Sequence, residues 1–144
     1  MLIRDLLKNQ VTVSADIGRS VLEVAGMMVD HNIGAVPVLQ DGLLIGIFSE
    51  RDLMSRVVVP GKDPAQTLLR EVMTEDPLTV APGDNLETCM TLMRRHGFRH
   101  LPVCDGRDLK GVISLRDVLL HDLNEKDDEV RMMRAYLHSL PDVG

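Results

Sequence analysis

The chain has 144 residues, 44% of them apolar, and a formal net charge of −6. That length suits one compact domain or two small ones sharing a core, and it can bury roughly two-thirds of its unfolded surface without a disulfide or a metal. The negative charge argues against a basic face for duplex nucleic acid, and having only Phe48, Phe98 and Tyr136 as aromatics argues against base-stacking on single strands. Cys89 and Cys104 sit inside apolar patterns and read as buried thiols in a reducing cytoplasm. The opening Met1-Leu2-Ile3-Arg4-Asp5 lacks the apolar run of a signal peptide. No stretch approaches the ~20 apolar residues of a membrane span.

In chain order, a short apolar entry segment (Ile3-Arg4-Asp5-Leu6-Leu7) leads to an extended Val11-Thr12-Val13 piece. Val21, Leu22, Val24, Ala25 and Met28 form a helical stripe, preceded by Ser20-x-x-Glu23 as a capping box. Strands are expected at 35–39 and 43–48, joined by an Asp41-Gly42 turn, with a second helix starting at Ser49. Pro60-Gly61-Lys62-Asp63-Pro64 then reads as a linker. The same order returns after it. Leu69-Arg70-Glu71-Val72-Met73 is an entry segment and Leu78-Thr79-Val80 an extended piece. Leu86, Cys89, Met90 and Met93 form a helical stripe with Asp84-x-x-Glu87 as its box. Strands at 100–104 and 109–113 and a helix from Ser114 follow. Ser49 and Ser114 stand 65 positions apart, as do Pro37 and Pro102, and Gly46 and Gly111. The chain is therefore one β-α-β-β-α unit written twice, an α+β fold. Its expected segments are repeat 1 at 1–59, linker at 60–66, repeat 2 at 67–122 and a tail at 123–144. In that tail Val130, Met133, Leu137 and Leu140 make a helical seam that needs cover, from its own domain or a second subunit.

Both copies carry a Ser-x-x-Asp where a strand turns into a helix: Ser49 with Asp52, and Ser114 with Asp117. Such a tetrapeptide is an ordinary helix cap. It is also suited to a nucleotide, because a helix start offers free N–H groups to phosphate, a Ser hydroxyl can donate, and a carboxylate can accept from ribose hydroxyls.

Gly34-Ala35-Val36-Pro37-Val38 followed by Gly46-Ile47-Phe48-Ser49-Glu50-Arg51-Asp52-Leu53 resembles a CBS motif. Arg99-His100-Leu101-Pro102-Val103 followed by Gly111-Val112-Ile113-Ser114-Leu115-Arg116-Asp117-Val118 resembles a second. The resemblance implies two CBS repeats packed pseudo-symmetrically, plus a C-terminal helix, with two clefts between the repeats. It implies an adenine nucleotide ligand (AMP, ATP or NAD(H)), no required cofactor and no catalysis. One cleft would join Val112, Ser114 and Asp117 to Thr12, Val13 and Gly34. The other would join Ile47, Ser49 and Asp52 to Thr79, Val80 and Phe98. Val13 and Val112, or Ile47 and Val80, would sandwich adenine. Arg99 is a candidate phosphate clamp, whereas Arg51 and Arg116 fall on the exposed sides of their helices. The expected partners are the nucleotide, a second copy in a homodimer, and a regulated enzyme or transporter, with no nucleic acid and no membrane. The competing expectation is a ligand-free dimerisation or docking scaffold. His96 and His100, with Cys104 nearby, have a metal-like spacing, but a helix end and a strand start need not share a face.

Overall fold

The computed structural model describes residues 1–7 and 10–139. Repeat 1 contains β1 (Ala15–Asp16), α2 (Val21–His31), β2 (Ala35–Gln40) and β3 (Leu43–Ser49), after a leading helix α1 (Ile3–Leu7). It ends in a short α3 (Glu50–Asp52) that continues as a π-helical turn over Leu53–Val58. Repeat 2 follows with α4 (Leu69–Val72), β4 (Thr74–Glu75), α5 (Leu86–His96), β5 (His100–Asp105), β6 (Asp108–Ser114) and α6 (Leu115–Ser139). This is the expected α+β arrangement of two like units with a C-terminal helix.

The repetition extends to details of register. The β2–β3 hairpin has an irregularity between Val38 and Leu39, and the β5–β6 hairpin has one between Val103 and Cys104, the twin positions. Ala15 pairs parallel with Val38, and Val80 bridges parallel to Val103. Strand formation at 11–13 and 78–80 is shorter than expected. Only Ala15–Asp16 and the lone Val80 bridge engage their hairpins, while the Thr12 hydroxyl donates to the Lys110 carbonyl of the other repeat at 3.4 Å. The first segment thus reaches across to the other unit, whereas Val80 stays with its own hairpin.

The leaders are exchanged. α1 precedes repeat 1 in the chain, yet Ile3 is buried among Val80, Leu86, Cys89, Met93, Leu101, Val103, Ile113 and Val118 of repeat 2. Leu69, Val72 and Met73 open repeat 2 in the chain, yet they complete the core of Val21, Val24, Met28, Val36, Val38, Phe48 and Val57 in repeat 1. The backbone ties match: Leu86 N–H donates to the Met1 carbonyl at 3.2 Å, and Val21 N–H to the Thr67 carbonyl at 2.8 Å. Each unit therefore lacks part of its apolar core without the other's leader, which welds the pair. Close approach of each leader demands glycine on the outer strand. A Cβ at Gly46 would stand 2.6 Å from Met73 Sδ, and one at Gly111 would stand 2.9 Å from Leu7 Cδ2.

Helix ends follow local chemistry. Ser20 caps α2 by accepting from Glu23 N–H at 3.2 Å, one half of the expected capping box, while Glu23 Oε1 accepts from the Ser20 hydroxyl at 3.2 Å. α5 is capped one residue later than expected. Asn85 accepts from Thr88 N–H at 2.8 Å, because the Asp84 carboxylate is taken up by Ala81 N–H at 2.8 Å. The tail is not a separate helix. α6 runs unbroken through the charged segment 124–129, which has neither Gly nor Pro. The His121–Glu125 hydrogen bond and the ion pairs Asp122–Lys126 and Asp127–Arg131, all spaced i, i+4, support it. Among the described residues no helix is long and apolar enough to cross a membrane.

Candidate functional site

The two repeats meet over an open cleft of about 880 Å³, within the range of small-molecule sites. Its walls come from both. Thr12, Val13 and Gly34 belong to repeat 1; Val112, Ser114 and Asp117 belong to repeat 2. All six residues expected for the first cleft line this one space.

The end of β6 and the start of α6 build its polar corner. Ser114 caps α6, its Oγ accepting Asp117 N–H at 3.0 Å. This leaves the Asp117 carboxylate without a hydrogen-bond or ion-pair partner among the described residues. Gly34 matters for space, since a Cβ there would lie 3.2 Å from both Glu50 Oε1 and His100 Cε1. Glu50 and His100 thus cross the cleft floor from opposite repeats. Burial pushes the His100 pKa below its usual value, against the opposing pull of Glu50 and Asp117, while Arg99 adds to the depression. Ala25, Met28, Ile33 and Leu53 supply an apolar wall from repeat 1.

The second expected constellation is arranged differently. Ser49 and Asp52 form a complete capping box: Asp52 N–H donates to Ser49 Oγ at 3.2 Å, and Ser49 N–H donates back to Asp52 Oδ2 at 3.0 Å. Ser49 Oγ donates to the same oxygen at 3.1 Å. The other carboxylate oxygen accepts from Thr74 Oγ1 at 3.5 Å and lies 3.7 Å from Arg56 Nε. Asp52 is buried, at 8% exposure. Arg56 also donates to the Val72 and Met73 carbonyls at 3.2 and 2.8 Å. Ile47 pairs with Thr74 of β4. Val80 is buried in the core of repeat 2, Thr79 is exposed, and Phe98 stacks on His96 with ring centroids 5.4 Å apart.

The structure also redistributes the basic residues. Arg99, the expected clamp, does not line the open cleft; its carbonyl accepts Leu115 N–H at 2.7 Å. Arg116, expected on the exposed side of its helix, is exposed and also lines the cleft. Sequence reasoning passed over Glu50, and weighed His100 for a metal and as a difference between the repeats without assigning it to a cleft. The available signal was the break in the repeat at Ala35 and His100, which places a titratable ring in one copy only. His96 stacks on Phe98 while His100 faces the cleft, so the two histidines occupy separate surroundings. Cys89 is buried with its thiol pKa raised to about 11, first by burial and then by Asp84, and burial also raises that of Cys104. Neither is an available nucleophile.

Comparison with known proteins gives a consistent picture. The family model described as "CBS domain" matches residues 3–59 and again 69–124. The chain is 34% identical over 125 residues to the CBS domain-containing protein YhcV of Bacillus subtilis, covering 86% of this chain and 87% of that one. A CBS domain protein from Pyrobaculum aerophilum, complexed with AMP, superposes with a TM-score of 0.75 at 27% identity, over 84% of this chain and 97% of its own. The CBS domain pair of protein MJ0100, in complex with 5'-methylthioadenosine and S-adenosyl-L-methionine, shares the fold with a TM-score of 0.78 at 22% identity. That alignment covers 87% of this chain and 98% of that one.

Proposed function

This chain belongs to the CBS-domain family, and on that premise we propose that it is a non-catalytic regulatory module binding an adenine nucleotide in the open cleft between its repeats. The observation that carries the reading is the gathering of Thr12, Val13, Gly34, Val112, Ser114 and Asp117 around one space, with the Asp117 carboxylate unpartnered among the described residues. Val13 and Val112 offer apolar contact for adenine. Asp117 accepts from ribose hydroxyls, and the α6 start with the Ser114 hydroxyl and Arg116 receives phosphate. Because the ligand touches both repeats, it favours whichever relative arrangement brings them into contact with it, and a regulated enzyme or transporter reads that shift. A homodimer acting in the cytoplasm is part of the same reading.

The charges also rank the ligands. Glu50 and Asp117 line the cleft with Arg116 as counter-charge. A ligand with one phosphate avoids the repulsion that a triphosphate meets beside two carboxylates. Isothermal titration of the purified chain is expected to give one AMP per chain, bound about tenfold more tightly than ATP. No heat and no thermal shift with millimolar AMP, ATP or NADH would reject the sensor in favour of a ligand-free scaffold.

A further inference from the structure

Beyond Asp122, every residue of α6 whose exposure is described, Leu123 to Ser139, is exposed. Glu125 and Lys126 still border a groove against α5, and from Asp127 to Ser139, at 1.5 Å per residue, a rod of about 20 Å projects from the body. It is not polar all round. Leu123, Val130, Met133 and Leu137 are 60%, 42%, 64% and 57% exposed, and they recur along one face. With Lys126 they complete an unbroken alternation of four- and three-residue steps, the a and d positions of a two-stranded seam. Leu140, the next seam position, and Pro141 lie outside the described residues. A helix with such a stripe requires cover.

We infer that the projecting part of α6 pairs antiparallel with the same segment of a second copy, about a twofold axis passing between residues 131 and 132. This deepens the homodimer element of the reading above and rests on it. The occupant and its direction follow from charge. In the antiparallel register Val130 of each helix faces Met133 of the other, and Leu137 faces the aliphatic stem of Lys126, whose ammonium reaches past it to water. On the flanks Asp127 comes opposite Arg134, twice by symmetry, and Glu129 comes opposite Tyr136. Among the described residues Arg134 has no ion pair of its own, whereas Lys126 and Arg131 are already paired along the helix with Asp122 and Asp127. The parallel register instead sets Lys126 against its own copy inside the seam and Asp122 beside Asp127 on the flank. Its Glu129–Arg134 pairs do not offset two ammonium groups brought together in an apolar layer. The lone polar seam residue thus selects orientation, as buried polar positions do in helical pairs.

Single-cysteine variants of the full chain decide the matter. Lys126→Cys and Leu137→Cys, both at exposed positions, are mixed under mild oxidant; Cys89 and Cys104 are buried and stay silent. Antiparallel pairing brings position 126 of one copy beside 137 of the other, so the mixed 126–137 disulfide is expected to form at least about tenfold faster than either homodisulfide. A homodisulfide between copies must bridge an offset of 11 residues, about 16 Å along the axis. Dominant homodisulfides, or no cross-linking at all, would overturn the pairing. Light scattering on the unmodified chain separates the levels. A dimer without the mixed disulfide leaves the homodimer standing and removes the tail from its interface. A monomer removes both.

Discussion

Two copies of one tetrapeptide end in opposite states. Asp52 accepts from its own cap residue, from Thr74 and from the vicinity of Arg56, and is buried. Asp117 sits at the same point of the second repeat, half-buried and facing an open cleft. The Ser-x-x-Asp motif does not decide between them, because it is present in both. What decides is the surrounding cover. β4 pairs with β3 at Gly46 and Ile47, delivering Thr74 to Asp52. Arg56 then clips that leader through the Val72 and Met73 carbonyls. Its twin, 65 residues on, is His121, which instead pairs along the helix with Glu125 at 3.0 Å. The same motif is thus a closed structural cap where neighbouring donors satisfy its carboxylate, and is open at Asp117, where among the described residues none does.

The sharpest way to break this contrast is to remove each carboxylate in turn. Asp117→Ala is expected to weaken AMP binding by about 10- to 100-fold, the worth of charge-assisted hydrogen bonds to a sugar. The folded state should be little changed, since the Ser114 cap uses the backbone of residue 117. Asp52→Ala is expected to do the reverse. It strands the Ser49 amide and hydroxyl and the Thr74 hydroxyl, costing about 1–3 kcal/mol and several degrees of Tm, with AMP affinity unchanged within about twofold. Titration calorimetry and thermal melts on the two variants read both quantities. A loss of affinity in Asp52→Ala equal to that in Asp117→Ala would abolish the distinction.

A second test compares the leader contacts. At Gly46 an added methyl meets Met73 Sδ at 2.6 Å and the Thr74 carbonyl oxygen at 2.9 Å, the latter fixed in a strand. At Gly111 the nearest atoms among the described residues are those of the Leu7 side chain, the first at 2.9 Å, and these can turn away. Gly46→Ala is therefore expected to cost about 2–3 kcal/mol and Gly111→Ala about 1 kcal/mol or less, measured by urea denaturation. Equal costs would show that the two leaders are held with equal rigidity.

The doubled unit was legible because repetition, hairpin turns and apolar periodicity are local signals. Strand and helix positions around Pro37, Pro102, Gly46 and Gly111 followed from them. The exchange of leaders was not legible. Ile3 and Leu69 read as apolar entry residues in either arrangement, and only long-range packing assigns each to the opposite core. The open cleft's residues came from the family resemblance, and its inequality with the second constellation had one sequence trace, His100 where repeat 1 has Ala35. The closing of Asp52 had none, because Arg56 and Thr74 lie outside the repeated motif. Which of Arg99 and Arg116 borders the open cleft was hidden for a similar reason: a residue just before a strand and one just inside a helix are separated by side-chain direction, which spacing alone does not fix.

His100, unmatched in repeat 1, gives the smallest and most specific expectation. His100 has a folded-state pKa below its unfolded value, chiefly through burial. The unfolded chain therefore binds the proton more readily, and stability falls as pH drops from the ordinary histidine value of about 6.5 toward the depressed folded value. Above that window His100 is neutral in both states and contributes no slope. The slope contributed by a single proton is at most about 1.4 kcal/mol per pH unit, and the opposing charges of Glu50 and Asp117 limit how wide the window is. His100→Gln keeps a polar side chain of similar reach over Gly34 and removes the titration. Its unfolding free energy, measured in urea from pH 7.5 down to 5, should decline less steeply than that of the unmodified chain across this window only. Ligand binding should tilt the same curve. An anionic phosphate in the cleft raises the His100 pKa, so with saturating AMP the acid-side loss of stability shrinks. A pH profile identical in both proteins, with and without AMP, would place His100 outside the electrostatics of the cleft.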